Sequence, residues 1–388
     1  MSSYLDNFFS KPQLVKKTLF ILAAINLVVF AWAFGFHPNN DTDSYIFTIE
    51  YFRGERAEVF PNRYLNPFYA LVGSSVLFFV SPANSIIITN ILFYFGLLFL
   101  TYGLLKRVLN SEMAGFFSAL LIMTSYTLLR YGLTQVQDIG GYFWYVLTIY
   151  AAWRWWEDKQ NKWLYVGGLA AALGMLTKES GTMGALFFGV LFLLEKSSLK
   201  ERFQHFLKFS ILPFIMLVIN QYRGMTLDYN SGQWFLDNWK VFGPDNYHFI
   251  KWFGVNVSTY NFLWLLVLVG LVMIIKNRKE LPSNIKVYLL AILLPSLSYF
   301  AWPIFISRTV FISAWLFVPI AVYALMGVYA RYKYLAIALL VVAVVMPYIL
   351  QNTLKYAHVF QILDICKNNI GCSWNYFWDN RDGFSKTM

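Results

Sequence analysis

The sequence predicts an all-α integral membrane protein. Of its 388 residues, 58% are apolar and 13% are charged, whereas soluble domains average about 25% charged residues. Apolar runs long enough to enter a bilayer recur along almost the whole chain, and basic residues collect between alternate runs. These observations favour one polytopic membrane unit without a large soluble domain.

We predict about eleven transmembrane helices, with the N-terminus in the cytoplasm and the C-terminus outside. Three lysines precede the first helix and no small-residue cleavage pattern follows it, so we interpret it as an uncleaved span. The predicted spans cover residues 18–36, 84–105, 113–130, 138–155, 163–177, 180–194, 206–222, 255–275, 286–302, 310–328 and 334–351. They form one membrane domain over residues 1–351, and residues 352–388 form a short exported tail.

The net charge of +11 is explained by this topology, and we expect no nucleic-acid partner. The predicted cytoplasmic side carries 18 of the 31 Lys and Arg residues and seven of the 20 acids, whereas the exported side carries 13 of each sign. The whole basic excess therefore lies on one face, as the positive-inside rule requires. We expect this membrane to be a prokaryotic plasma (inner) membrane.

The first exported loop is predicted over about residues 37–83 and is unusually long. Residues 65–80 are apolar enough for a span, but counting them as one would invert every later loop and place the basic turns outside. Prolines also lie near both ends of this segment. We therefore predict re-entrant or interfacial juxtamembrane helices within the loop.

Two consecutive predicted spans, 163–177 and 180–194, are short. A span of about 15 residues is about 22 Å long, whereas the hydrocarbon core is about 30 Å thick. Lys178 and Glu179, which lie between them, would then sit below the exported surface. Non-helical backbone is tolerated at that depth only where it lines protein or water, so the short pair predicts a cavity that opens outward.

Two further features concern the edges of the membrane domain. Cys366 and Cys372 are the only cysteines, and their pairing as a disulfide in an oxidising compartment and a coincidental spacing both remain open. Four tryptophans around a predicted cytoplasmic turn are interpreted as an interfacial aromatic belt: Trp153, Trp155, Trp156 and Trp163.

Three acids are candidates for catalysis or substrate contact. Asp41 and Asp43 open the first exported loop, where a carboxylate at the mouth of a cavity could act as a general base or simply be solvated. Asp138 begins the fourth predicted span, where the helix dipole alone favours an acid. A second active-site acid, which orients the acceptor or a cation, is the functional alternative for Asp138.

Three cations lie at predicted exported ends of spans: Arg63, Lys178 and Arg308. Cations in a low-dielectric site can stabilise the negative charge that develops on a departing phosphate, and the donor fork of arginine matches phosphate oxygens. Arg308 could equally be a snorkelling interfacial residue. Lys178 could instead form a structural ion pair with Glu179.

Four short motifs follow one another in the first half of the chain. They are Asp41 with Tyr45 four positions later, the run Arg-Tyr-Leu-Asn-Pro-Phe-Tyr at 63–69, Leu-Leu-Lys-Arg at 104–107, and Gly-Met-Leu-Thr-Lys-Glu at 174–179. In order and spacing these motifs resemble the GT-C superfamily of membrane glycosyltransferases, which includes protein O-mannosyltransferases and lipid A aminoarabinose transferases. The family usually has a second acid where this chain has Thr42, so Asp43 competes with Asp41.

The resemblance covers about residues 18–200 and implies an inverting transfer of a sugar. The implied donor is a polyprenyl-phosphate-linked sugar, and the implied acceptor is a hydroxyl of a lipid, glycan or protein at the exported face, among membrane lipids. The implied base is Asp41 or Asp43. The candidate residues for lipid phosphate and sugar are Arg63, Tyr45, Tyr69, Lys178, Glu179, Arg308 and Asp138.

No cofactor is expected to be required, although two nearby acids could hold a divalent cation. The chain has no Gly-rich phosphate loop, Ser/His/Asp arrangement or metal-spaced histidine cluster, which argues against nucleotide-sugar chemistry on a soluble domain. A secondary transporter is one alternative, but transporters usually repeat their broken spans in both halves. A lipid-linked saccharide ligase or flippase is another, although a ligase would carry its large loop late in the chain.

Overall fold

The regular structure of this chain is helical wherever the computed structural model describes it. The described residues are 2–33, 35–38, 41–227, 232, 235–236, 239–240, 248–301 and 307–353. The predicted Cys366–Cys372 disulfide and nearly all of the predicted tail lie outside these residues, so they remain predictions.

Two long apolar helices with three short ones between them dominate the first part of the chain. The helices are α1 (Ser2–Phe9), α2 (Pro12–Ala33), α3 (Thr42–Phe52), α4 (Pro61–Tyr64), α5 (Phe68–Ser74), α6 (Pro82–Val108) and α7 (Glu112–Met123). Of the apolar residues 65–80, only the seven-residue α5 forms a helix of more than one turn. At about 1.5 Å per residue, α5 is too short to cross a bilayer.

In the described part of the chain, eleven further α-helices follow a π-helical turn at Leu128–Gly132. They are α8 (Asp138–Asp158), α9 (Lys162–Met175), α10 (Glu179–Thr182), α11 (Gly184–Leu194), α12 (Leu199–Thr226), α13 (His248–Tyr260), α14 (Leu263–Lys276), α15 (Ser283–Ser298), α16 (Ser307–Val310), α17 (Ala314–Arg331) and α18 (Lys333–Thr353). Single 3₁₀ turns precede α17 at Tyr299–Ala301 and Phe311–Ser313.

Each predicted span overlaps a helix, but not every helix is long enough to cross a membrane by itself. Four helices in the described part of the chain are long and apolar enough by length and composition: Pro12–Ala33, Pro82–Val108, Leu199–Thr226 and Arg308–Arg331. Shorter apolar helices, such as α7, α14 and α15, account for other predicted spans. The number eleven and the exported side of the 37–83 loop therefore stay predictions.

Local sequence signals set the starts of the long helices. Ser81 accepts a hydrogen bond from the backbone N–H of Asn84, and Pro82 occupies the first position of α6, where its missing N–H costs nothing. Ser198 and Glu201 form a reciprocal capping box at the start of α12. These caps satisfy backbone donors that would otherwise be unpaired at a helix start.

Helix α8 lies at the centre of the fold and packs against α6, α9, α10 and α11. The predicted aromatic belt is wrong for Trp153 and Trp155, because both side chains are fully buried against neighbouring helices. The indole N–H of Trp153 donates to Glu157 at 3.0 Å, which satisfies its hydrogen-bonding need away from water. Both rings therefore lie on the part of α8 that packs inside the protein, not at an interface.

Two adjacent glycines allow close contact at the start of α8. A Cβ atom at Gly140 would lie 2.8 Å from the phenol oxygen of Tyr69. At Gly141 it would lie 3.2 Å from Cβ of Lys178 and would overlap the hydroxyl of Ser180. Only glycine fits so close an approach, and it brings α5 and the α9–α10 turn against the first turn of α8.

Candidate active site

Five charged side chains from five segments meet at the start of α8. They are Asp41, Arg63, Asp138, Lys178 and Arg308, which we call the charged cluster. Its two most distant members, Asp41 and Arg308, are 267 positions apart in the sequence. Because the members come from distant segments, the packing of helices, rather than local chain geometry, creates the cluster.

Asp41 immediately precedes α3, and cations engage both of its carboxylate oxygens. Nη2 of Arg63 lies 3.1 Å from Oδ1, and Nη1 of Arg308 donates a hydrogen bond to Oδ2 at 2.7 Å. Burial raises the pKa of Asp41, but the charges of Arg308 and Arg63 lower this pKa by more than burial raises it. The net pKa is therefore below the ordinary value of 3.8. Asp41 is therefore a carboxylate throughout the physiological pH range.

Asp138, the first residue of α8, lies at the bottom of the charged cluster and is fully buried. Nζ of Lys178 donates to its Oδ1 at 2.5 Å. Its Oδ2 accepts no hydrogen bond in the described structure and lies 3.8 Å from Nη1 of Arg308. The pair that Lys178 forms is thus with Asp138 and not with Glu179, whose side chain is exposed.

Neighbouring polar groups fix the two arginines. The hydroxyl of Tyr142, one helical turn after Asp138, donates to the backbone carbonyl of Arg308 at 2.7 Å. Nε of Arg63 donates to Oγ of Ser44 at 2.9 Å. The guanidinium of Arg63 also lies 4.2 Å from the ring centroid of Tyr45, a cation–π contact.

The predicted residue Tyr69 supports the charged cluster from behind. Its buried hydroxyl donates to Oδ1 of Asn90 at 2.5 Å. The amide of Asn90 then donates to the backbone carbonyls of Thr134 and Val136 at 2.6 and 2.8 Å. Tyr69 and Asn90 therefore hold the chain that leads into Asp138, and Tyr69 is too buried to line an open site.

The two acids that competed in the sequence have different surroundings. Asp41 is part of the charged cluster, whereas the side chain of Asp43 is exposed and forms no ion pair within the described residues. Consecutive helical positions differ by about 100°, so positions two apart point to nearly opposite sides. The geometry therefore places Asp41, and not Asp43, in the charged cluster.

Sequence reasoning missed three residues that hold the charged cluster together: Asn90, Tyr142 and Ser44. Each carried a usable signal. Asn90 is a polar residue within an otherwise apolar helix, which is rarely accidental in a membrane protein. Tyr142 and Ser44 follow Asp138 and Asp41 by four and three positions, a spacing that places side chains on one helical face.

The charged cluster is reachable from one side and closed on the other. The side chains of Arg63, Lys178 and Arg308 are 18%, 19% and 21% exposed and that of Asp41 is 29% exposed, whereas Asp138 has no exposure. Three cations share two carboxylates, so the charged cluster carries one unbalanced positive charge. An anion can therefore approach from the open side and meet cations first.

The residues of the charged cluster suit an anion better than a metal ion. Among the described residues, no three His, Cys, Asp or Glu side chains lie together. Nη1 of Arg308 lies 2.7 and 3.8 Å from oxygens of the two carboxylates. The guanidinium of Arg308 thus lies between the carboxylates of Asp41 and Asp138.

Comparisons with known proteins concern one segment of the chain and its fold. The family model for dolichyl-phosphate-mannose-protein mannosyltransferases matches residues 66–220. The fold is similar to the crystal structure of the Archaeoglobus fulgidus oligosaccharyltransferase in the apo form, with a TM-score of 0.59 and 13% sequence identity. That similarity covers 87% of this chain and 55% of the oligosaccharyltransferase chain, so this chain spans about half the length of that enzyme. A search of curated protein sequences gave no significant match.

The two similarities carry different information. At 13% identity the structural likeness shows the fold alone, while the family-model match covers the segment that contains Tyr69, Asp138 and Lys178. This chain is thus similar to dolichyl-phosphate-mannose-protein mannosyltransferases over residues 66–220 and to the archaeal oligosaccharyltransferase in its fold.

Proposed function

We propose that this protein transfers a sugar from a polyprenyl-phosphate donor to an acceptor hydroxyl, with inversion, at the exported face of the membrane. The observation that carries the proposal is the charged cluster, in which one accessible carboxylate lies among three cations. A base for the acceptor and cations for the departing phosphate are the two groups that this reaction needs.

The charge of the cluster supports a monophosphate donor. A sugar joined to a polyprenyl chain through one phosphate is a phosphodiester with a single negative charge. The three cations and two carboxylates leave a single positive charge, which this donor would neutralise. A diphosphate donor would bring a second negative charge into a site with no described cation to match it in the cluster.

The proposed reaction is a single displacement. A carboxylate oxygen of Asp41 takes the proton of the acceptor hydroxyl as that oxygen bonds to the anomeric carbon. The bond between the anomeric carbon and the phosphate oxygen breaks, and its electron pair leaves with the phosphate. The products are an inverted glycoside and a polyprenyl phosphate, whose growing charge Arg63, Lys178 and Arg308 stabilise.

The outer surface near the charged cluster supports a lipid-linked donor. Along the 28 residues of α12 only Phe209 and Gly224 are buried, so the helix presents apolar side chains outward. At its end, Arg223 donates to the backbone carbonyl of Tyr64 and lies 4.3 Å from that ring's centroid. This lipid-compatible surface therefore reaches the residue next to Arg63.

We propose that transfer needs no divalent cation, because Arg308 already bridges Asp41 and Asp138. Transfer by protein purified with EDTA should proceed at the same rate as transfer after Mg²⁺ or Mn²⁺ is restored. A rate that falls at least tenfold with EDTA and recovers with metal would contradict this point.

The exported position of the charged cluster is part of the proposal, and its support is the one-sided distribution of basic residues. Asp43→Cys provides a test, since this exposed position adjoins the cluster. In a variant that also carries Cys366→Ser and Cys372→Ser, so that no other cysteine reacts, a membrane-impermeant maleimide should label it in intact cells. Labelling only after the cells are opened would place the cluster in the cytosol.

The decisive experiment measures chemistry. Purified protein is mixed with polyprenyl-phosphate sugars that carry radiolabel in the sugar, and release of polyprenyl phosphate is followed together with movement of label to an acceptor or to water. We expect release with wild type and release slower by about 10³-fold with Asp41→Asn. A transporter or flippase would move the intact donor or sugar across a vesicle membrane without breaking the glycosyl bond, and that result would refute the proposal.

A further inference from the structure

Asp41 is poorly suited to accept a proton in the arrangement observed. Both of its oxygens are occupied, by Arg63 at 3.1 Å and by Arg308 at 2.7 Å. A carboxylate held by two guanidinium groups has a low pKa and is therefore a weak base towards an incoming hydroxyl, although Asp41 is partly exposed. Movement of these guanidinium groups away from Asp41 would make it a stronger base.

The donor phosphate is an anion that could cause this release. Its oxygens and the carboxylate of Asp41 make the same kind of charge-assisted hydrogen bond to arginine. The two arginines that engage Asp41 are also partly exposed, at 18% and 21% of their side-chain surface. An entering phosphate would thus contact the same two arginines that already pair with Asp41.

Asp138 offers Arg308 a second carboxylate with which to pair if Arg308 leaves Asp41. Its Oδ2 is buried, accepts no hydrogen bond in the described structure, and lies 3.8 Å from Nη1 of Arg308. Buried polar atoms without a partner are uncommon, and this oxygen lies close enough to Arg308 to pair with it. The short Lys178–Asp138 pair at 2.5 Å keeps this carboxylate in place.

We propose that the donor phosphate competes with Asp41 for Arg63 and Arg308, so that the base is released only when the donor is bound. Arg308 then lies between the phosphate and Asp138, and one oxygen of Asp41 faces the acceptor. This inference rests on the proposed function. It further assigns Asp138 as a positioning residue for Arg308 and predicts that the donor binds before the acceptor is activated.

The test compares the binding of a polyprenyl phosphate, the reaction product, to matched variants by calorimetry in detergent. Asp41→Asn removes the competing charge, so it should bind polyprenyl phosphate about tenfold more tightly than wild type, a difference of about 1.4 kcal/mol. Asp43→Asn removes the same charge two positions away and should bind within twofold of wild type. Thermal unfolding of each variant confirms that it is folded.

The outcomes separate the two proposals. If folded Asp41→Asn binds polyprenyl phosphate as tightly as wild type or more weakly, the competition is refuted while the proposed function stands. If wild type does not bind polyprenyl phosphate at all, the proposed function itself fails. If both aspartate variants bind more tightly by the same factor, general electrostatics and not competition for the two arginines is responsible.

Wild type provides a second test that needs no variant. The charged groups facing Asp41 are Arg63, Arg308 and Lys178, with Asp138 beyond them. The acidic limb of kcat/KM reports the free enzyme, and that of kcat reports the enzyme with donor bound. Release of Asp41 should move the acidic limb of kcat to higher pH than that of kcat/KM for the donor. Coincident limbs would overturn the proposal.

Discussion

The two ends of α8 both carry acids that meet cations, and they differ in how those charges are matched. At its end, Glu157 pairs with Arg107 at 2.9 Å and Asp158 pairs with Arg154 at 2.5 Å, one cation for each acid. At its start, Asp138 pairs with Lys178 and shares Arg308 with Asp41, and Arg63 adds a third cation.

The acids at the two ends of α8 also differ in how deeply they are buried. The carboxylates of Glu157 and Asp158 are 22% and 26% exposed, whereas Asp138 is fully buried. Exposed, one-to-one ion pairs contribute little to stability and are screened by salt. Buried groups with surplus charge are costly to maintain and indicate function. The candidate site is therefore distinguished by its unequal numbers of cations and acids, and not by its total number of charges.

The largest expected effect follows removal of the proposed base. Asp41→Asn should lower the rate of sugar transfer by about 10³-fold, within the usual range for loss of a general base. Glu157→Gln at the other end of α8 should change the rate less than twofold. Transfer assays on both variants and on Asp43→Asn test the comparison. Equal losses in the Asp41 and Glu157 variants would remove the distinction between the two ends.

A smaller loss should follow removal of one phosphate-binding cation. Lys178→Gln should lower transfer by about 10²-fold, the scale observed when one stabiliser of developing charge is lost. Lys106→Gln is the matched control, because Lys106 pairs with a single acid, Glu112, away from the charged cluster. Initial rates at saturating donor decide the outcome, and a Lys178 variant as active as the control would exclude a phosphate contact.

The close approach at the start of α8 gives a steric test. Gly141→Ala should destabilise the protein by about 1–3 kcal/mol, because the new methyl group would overlap Ser180 and press on Lys178. Gly189→Ala adds the same methyl group within α11, where no atom lies within 4 Å. The control should be neutral or slightly stabilising. Thermal unfolding in detergent compares them, and similar midpoints would contradict the tight packing.

The smallest expected effect concerns pH. Because the pKa of Asp41 is depressed in the free protein, its ion pairs are intact above the unfolded value of about 3.9 and are lost only as the pH falls through the lower, folded value. We therefore expect kcat/KM for the donor to show no acidic limb from Asp41 between pH 8 and pH 5. A tenfold decline per pH unit in that interval would assign the base to another group.

The sequence was sufficient to choose the members of the charged cluster, but not to predict which of them contact each other. Asp41, Arg63, Asp138, Lys178 and Arg308 could be chosen because each lies at a predicted end of a span or in a family motif. Their pairing depends on how the helices pack. Lys178 thus bonds to an acid 40 positions away and not to its neighbour, since adjacent residues do not face each other along a regular element.

Other predictions failed or stayed open for physical reasons. A tryptophan beside a basic turn resembles an interfacial residue in sequence, but Trp153 is buried because α8 is enclosed by other helices. Tyr69 lies in a motif that resembles the family, but its hydroxyl donates a hydrogen bond to Asn90. The number of spans cannot be decided from apolar length alone, because several helices of this chain are shorter than a bilayer is thick.

The shortness of α9 has a consequence for the surrounding bilayer. With 14 residues, α9 is about 21 Å long, about 9 Å less than the hydrocarbon thickness of a typical bilayer. If α9 crosses the membrane, hydrophobic mismatch would draw the nearby lipid headgroups inward. Such local thinning would shorten the distance that a donor headgroup must descend to Lys178. Transfer should then be faster in vesicles made from lipids with shorter acyl chains.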